Sequence, residues 1–132
     1  MERRSCLGHD TYPYKNGGFT GGAYIKSGLG YLVAPVHLPH GAVVTSMKAY
    51  FNDTSAAGMD IKLWGQPMAG NGYYEMARLF PSINSGLENR TDSTINFATI
   101  DNLNRSYLVQ LYSQDWSSSL RIMGVVISYT VS

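Results

Sequence analysis

Hydrophobic and polar residues alternate with a period of two along most of the chain from Tyr31 onward. The segment Val43–Phe51 shows it best: Val43, Met47, Ala49 and Phe51 fall on one face, Val44, Ser46, Lys48 and Tyr50 on the other. Successive side chains of a strand point to opposite faces, so this is the pattern of a half-buried β-strand. Met59–Trp64 repeats it, with Met59, Ile61 and Leu63 opposite Asp60, Lys62 and Trp64. Further strands are predicted over Tyr31–Val36, Tyr73–Leu79, Thr94–Ile100, Ser106–Tyr112 and Leu120–Val131. In the last of these, Arg121, Met123, Val125, Ile127 and Tyr129 alternate with Leu120, Ile122, Val126 and Ser128. Apolar residues on both of its faces point to a central strand, or to an outer face covered by another part of the chain or by a neighbour.

Turn signals separate these runs. Leu38-Pro39-His40-Gly41 suits a β-turn with proline second and glycine fourth. Asn52–Gly58, Gln66–Gly72, Asp101–Asn104 and Ser113–Ser119 read as loops, and Pro81–Ser93 as a polar crossover. Before Tyr31, Asn16-Gly17-Gly18-Phe19-Thr20-Gly21-Gly22 cannot hold regular structure cheaply, because glycine loses the most backbone entropy on ordering. Residues 1–30 are therefore expected to form a Gly-rich arm, with a short strand near Ala23–Lys26, ahead of a single domain over 31–132. No window forms a convincing amphipathic helix. Antiparallel strands of this number, about seven to nine, must bury their apolar faces against one another. The expected fold is an all-β antiparallel sandwich, jelly-roll or immunoglobulin-like.

Composition narrows the setting. At 132 residues the chain can bury a core without disulfides or metal. Its charged fraction is only 14%, against roughly 25% for typical soluble domains. Ser, Thr, Asn, Gly and Tyr must supply the polar surface, as in extracellular β modules and closely packed assemblies. The net charge is +1 and the longest basic run is Arg3-Arg4, so the footprint of a nucleic-acid binder is missing. No apolar run approaches the ~18 residues a membrane helix needs. The opening Met1–Asp10 is basic without an apolar stretch behind it, so either the chain is cytoplasmic as written or its export signal lies outside it. Cys6, the only cysteine, excludes an intrachain disulfide and reads as an incidental thiol.

Two blocks carry a resemblance. Ala34-Pro35-Val36-His37-Leu38-Pro39-His40-Gly41-Ala42-Val43-Val44-Thr45, followed by Asn52-Asp53, is similar to a block of the pattern A-P-V-H-L-P-x-G-A-x-V-T. That block recurs in an uncharacterised family of secreted bacterial β-sandwich domains. Leu120–Thr130 resembles the final strand of the same family, and Thr94-Ile95 and Tyr107-Leu108-Val109 fit its middle. The resemblance spans about residues 31–131 and implies an exported β-sandwich, often one piece of a longer surface or secreted protein. It implies no catalytic residues.

Candidate chemistry is sparse. His37 and His40 stand three apart without a third ligand close in sequence, so they read as a strand cap and a solvated turn residue rather than a metal pair. Asp53, Asp60, Asp92, Asp101 and Asp115 fall at turns or strand edges, where aspartates satisfy backbone N–H groups. No cofactor is expected; calcium held between two such loops is the alternative. Glu75 and Glu88 do not form a recognisable hydrolase pair, Ser117-Ser118-Ser119 lies outside any nucleophile motif, and no phosphate loop is present. Asn52-Asp53-Thr54, Asn89-Arg90-Thr91 and Asn104-Arg105-Ser106 match glycan acceptor triplets and agree with exposed turns.

The aromatic residues say more. Trp64 falls out of phase with its apolar neighbours, Trp116 is expected at a loop tip, Tyr73 and Tyr74 follow Asn71-Gly72, and Tyr50 lies on the more polar face of its strand. Flat exposed rings beside Asn, Gln and Asp suit a sugar, and the same residue types dominate protein interfaces. The leading expectation is a non-catalytic extracellular or cell-surface sandwich acting by association, as a self-assembling subunit or a module of a larger assembly. Phe19, Tyr24 and Ile25 of the arm and Met123, Val125 and Ile127 of the last strand are its candidate contacts, with the chain itself as partner. The alternative is a carbohydrate-binding module using Trp64, Trp116, Tyr73, Tyr74 and Tyr50. A loop-based hydrolase ranks third.

Overall fold

A computed structural model describes residues 7–8, 14–16, 23–25, 28–54, 56, 58–70, 72–80, 86–117 and 119–131. Among them there is no helix, and so none long and apolar enough to cross a membrane. Three short strands, β1 (Leu7–Gly8), β2 (Tyr14–Asn16) and β3 (Ala23–Ile25), precede seven longer ones. These are β4 (Gly28–Val36), β5 (Val43–Asp53), β6 (Asp60–Pro67), β7 (Tyr74–Leu79), β8 (Gly86–Asp92), β9 (Arg105–Trp116) and β10 (Leu120–Thr130).

The strands form two antiparallel sheets. The first runs β4-β9-β6-β7, with β1 outside β4; the second runs β10-β5-β8, with β3 and then β2 outside β10. The short strands thus tie parts of the expected N-terminal arm to both sheets, and the first long strand starts at Gly28 rather than Tyr31. The order decides between the two sandwiches expected. An immunoglobulin domain keeps its last two strands in one sheet. Here β9 and β10 lie in opposite sheets, and β3 to β10 alternate between the sheets except at the β6–β7 hairpin, which stays in the first sheet, as in a jelly roll.

Between the sheets lies one core, with Leu32, Met47, Phe51, Ile61, Leu63 and Leu111 among its fully buried side chains. Each such side chain contributes about 1.5–3 kcal/mol of apolar burial, which holds the two sheets face to face. The expected phase of β6 holds: Met59, Ile61 and Leu63 are buried, and Asp60, Lys62 and Trp64 face outward.

Bulges correct two other assignments. In β5 the register with β10 shifts between Ser46 and Val44, so Thr45 is the extra residue. The inward face is therefore Val44, Met47, Ala49 and Phe51; Val44 is 2% exposed and Val43 is 40% exposed, the reverse of the expectation. In β10 the shift at Met123 exchanges faces again. Leu120 and Ile122 point inward before it, Val125 is buried after it, and Ile127 packs against the core. One extra residue flips every side chain that follows. Val125 and Ile127 are therefore core residues rather than outer contacts, and Met123 is half-buried at the bulge. Phe19 lies outside the described residues, while Tyr24 and Ile25 belong to β3.

β8 lies inside the stretch expected to be a crossover, where Gly86–Asp92 pairs along β5 as an edge strand. Glu88, Arg90 and Asp92 sit opposite the inward residues Phe51, Ala49 and Met47, so its charges face the open edge of the sandwich. Arg90 and Glu88 form an ion pair at 2.8 Å, and the Asp92 carboxylate accepts from the backbone N–H of Arg78 at 2.9 Å. Inward charges on an edge strand discourage pairing with a foreign strand. Thr94–Ile100, expected as a strand, forms none: Thr99 bridges to Val43, and Asn96 N–H donates to Met76 C=O at 2.9 Å. The turn after β4 is also displaced by one residue: Ala42 N–H donates to Pro39 C=O at 3.1 Å, which puts Gly41, at φ 83°, third.

Candidate functional site

The outer face of the first sheet is a grid whose rows are set by strand register. Tyr31, Tyr112 and Asp60 make one row across β4, β9 and β6; Val33, Gln110 and Lys62 make the next. Leu108 and Trp64 belong to the third. All these side chains line a groove of about 520 Å³, closed at one end by Tyr73 just before β7. They are outward because their neighbours Leu32, Leu111, Ile61 and Leu63 are claimed by the core, and alternation leaves no other direction.

Aromatic pairs stand at the two ends. Tyr31 and Tyr112 meet with ring centroids 4.8 Å apart and planes at 35°. Trp64 and Tyr73 meet at 5.5 Å and 56°. Tyr112 lies opposite Asp60, four residues along β6 from Trp64, so about 14 Å of strand separates the ends. The row between them sets Gln110 and Lys62 beside the apolar Val33. Trp64 Nε1–H donates to Gln110 Oε1 at 2.6 Å, a diagonal contact from β6 to β9. Lys62 Nζ stands 5.1 Å over the Trp64 ring.

Charge along the side of the groove is balanced. Arg78 grips Asp60 with Nε and Nη2 at 3.1 and 3.0 Å, the bidentate geometry that fixes a carboxylate firmly. Lys62 lies 3.6 Å from Asp60 and 3.9 Å from Glu75, and Arg78 lies 3.9 Å from Glu75. Such longer, partly exposed pairs contribute little stability, about 0–1 kcal/mol each, and leave Lys62 able to exchange partners.

The expected site residues are distributed over four places. Trp64 and Tyr73 come together at the groove, as half-buried and exposed rings respectively. Tyr74 turns inward one residue later: it pairs with Gly65, its ring fills the space above that glycine, and Phe97 meets it edge-on at 4.8 Å. Burial raises its phenol pKa, the Tyr107 hydroxyl pushes the same way, and Arg105, 5.0 Å over the ring, pulls against both. Tyr50 lies on the outer face of the other sheet, beside a shallower hollow with Leu87, Met123 and Gly124. Trp116 is not at a loop tip. It ends β9 with 1% of its surface exposed, and its Nε1–H donates to Gly30 C=O at 2.9 Å. That buried hydrogen bond removes it from any ligand surface.

Tyr31, Tyr112, Gln110 and Lys62 are not candidates on sequence grounds, and Asp60 is one only as an edge aspartate for calcium. Their outward phase was readable, since Tyr31 adjoins Leu32 and Tyr112 adjoins Leu111. Their assembly depends on β4 pairing with β9, roughly 80 residues later, which no local pattern encodes.

The aspartates do not gather. Among the described residues no group of three or more His, Cys, Asp or Glu could hold a metal ion. Asp60 is held by Arg78, and Asp92 accepts from two backbone N–H groups. Asp101 organises its own turn, accepting from Leu103 N–H and the Asn104 side chain. His40, exposed in the turn after β4 as expected, also accepts from Asn102 N–H through Nδ1 at 3.1 Å and so ties that turn to the one before β9. No family model and no curated protein matches the chain.

Proposed function

We propose that this protein is a non-catalytic, extracellular or cell-surface β-sandwich that binds carbohydrate in the groove of its first sheet. The observation that carries this reading is the pair of aromatic platforms, Tyr31 with Tyr112 and Trp64 with Tyr73, set about 14 Å apart with Gln110 and Lys62 on the floor between them. A sugar offers C–H groups on its ring face and hydroxyls at its rim. The platforms meet the first, and Gln110, Lys62 and Asp60 meet the second. The spacing suits an oligosaccharide rather than a single sugar. Asp60 and Glu75 are engaged with Arg78 and Lys62, which favours binding over acid–base chemistry. The low charged fraction and the resemblance to secreted domains support export. A glycan array followed by calorimetry tests the reading: Trp64→Ala should weaken binding about tenfold or more with the fold intact. A blank array across polysaccharide classes would end it.

A second reading, self-association, is favoured by the outer face of the other sheet, where Leu87 is 76% exposed beside Tyr50 and Met123. The proposed occupant is a second copy of the chain, since low charge leaves two such faces little repulsion. Light scattering over a wide concentration range decides it: Leu87→Lys should abolish any dimer, and a monomer at every concentration would dismiss it.

A further inference from the structure

We propose that Gln110 determines the specificity of the groove, and that with Lys62 it selects a sugar carrying a strong acceptor oxygen beyond its hydroxyls. The shared chemistry is the carbonyl oxygen, in an acetamido group or in a uronate carboxylate. The inference rests on the glycan reading above.

The indole N–H of Trp64 is a donor and nothing else. At 2.6 Å from the Gln110 side chain it can face only the amide oxygen. The amide is thereby fixed in one orientation, with both N–H groups turned away from Trp64. Gln110 sits on β9 between Leu108 and Tyr112 of the same face and opposite Lys62, so those N–H groups belong to the floor between the two platforms. Its other lateral neighbour, Val33, offers no polar group. Lys62 adds an ammonium with three more donors. The nearest acceptor, Asp60, already takes the Arg78 fork through both oxygens and has Lys62 at 3.6 Å. A sugar unit seated at mid-groove therefore meets donors first. A hydroxyl there leaves its own O–H without an acceptor, whereas a carbonyl or carboxylate oxygen meets the donors with every lone pair.

Calorimetry with three oligomers of equal length, of N-acetylglucosamine, galacturonate and unsubstituted glucose, tests this. One of the first two should bind the wild-type protein about tenfold or more tighter than the glucose oligomer. The preferred oligomer identifies the source of the carbonyl, and only the galacturonate should weaken steeply with salt. Gln110→Glu keeps an oxygen for the Trp64 indole but replaces the donors with a carboxylate. It should lose about tenfold or more for the preferred oligomer, with tryptophan emission and melting temperature unchanged. Trp64→Phe keeps a ring and frees the amide, and should narrow the preference between oligomers more than it weakens overall binding. Equal binding of all three oligomers, or a Gln110→Glu protein that discriminates as before, overturns the assignment while leaving the glycan reading standing. Failure of every glycan to bind the wild-type protein removes both.

Discussion

Replacing Gly65 with alanine should destabilise the protein through a single contact. Gly65 lies on β6 opposite Tyr74 of β7, and a Cβ built on it would overlap the outer end of the Tyr74 ring. That ring is confined by Phe97 at 4.8 Å and by the Arg105 guanidinium at 5.0 Å. Overpacking of this kind costs about 1–3 kcal/mol. Alanine recovers about 0.4–1 kcal/mol by restricting the unfolded chain. The net loss is then about 1–2 kcal/mol, or about 4–8 °C in melting temperature for a domain of this size. Tyr74→Ala alone should cost about 2 kcal/mol, less than a fully buried aromatic because the side chain is half-buried. In that background Gly65→Ala should become neutral or slightly stabilising, giving a coupling of about 2 kcal/mol. Urea unfolding of the four proteins, with equal slopes as the check on two-state behaviour, measures the cycle. A Gly65→Ala protein as stable as the parent, or a coupling below about 0.5 kcal/mol, would refute the close-contact argument.

Two further outcomes follow from the described geometry. Trp116→Phe keeps an aromatic ring in the core but strands the buried Gly30 carbonyl, so it should cost about 2 kcal/mol and leave glycan affinity unchanged; weakened binding at full stability would return Trp116 to the ligand surface. The Asn104 side chain, above all, together with the Leu103 and Asn104 backbone N–H groups, holds the Asp101 carboxyl below its ordinary value of 3.8. The unfolded state then binds the proton more readily, so this stabilisation is complete above the ordinary carboxylate range and is lost as pH falls through the lowered folded value. Melting curves of wild type and Asp101→Asn should differ near pH 7 and converge as the pH falls below ~3.8; a difference independent of pH would assign the effect to the turn's shape instead.

Period-two alternation determined most of the strands and the inward residues of β6, because side-chain direction in a strand is a local property. It also determined that Trp64 would point outward from its sheet. What lay beyond it was everything set by partners distant in sequence. Val43 and Val125 exchanged faces with their neighbours because bulges at Thr45 and Met123 insert a residue that only the β5–β10 pairing requires. β8 escaped notice because Leu87–Asp92 carries charges toward an open edge, where burial does not select apolar residues. Trp116, set among Gln, Asp and Ser, looked exposed; the Gly30 carbonyl that accepts its N–H comes from the far end of the chain. The groove is the largest case. Tyr31, Gln110 and Lys62 acquire a common purpose only when β4, β9 and β6 lie side by side, and that adjacency follows from burying two sheets against each other, a condition on the whole chain rather than on any segment of it.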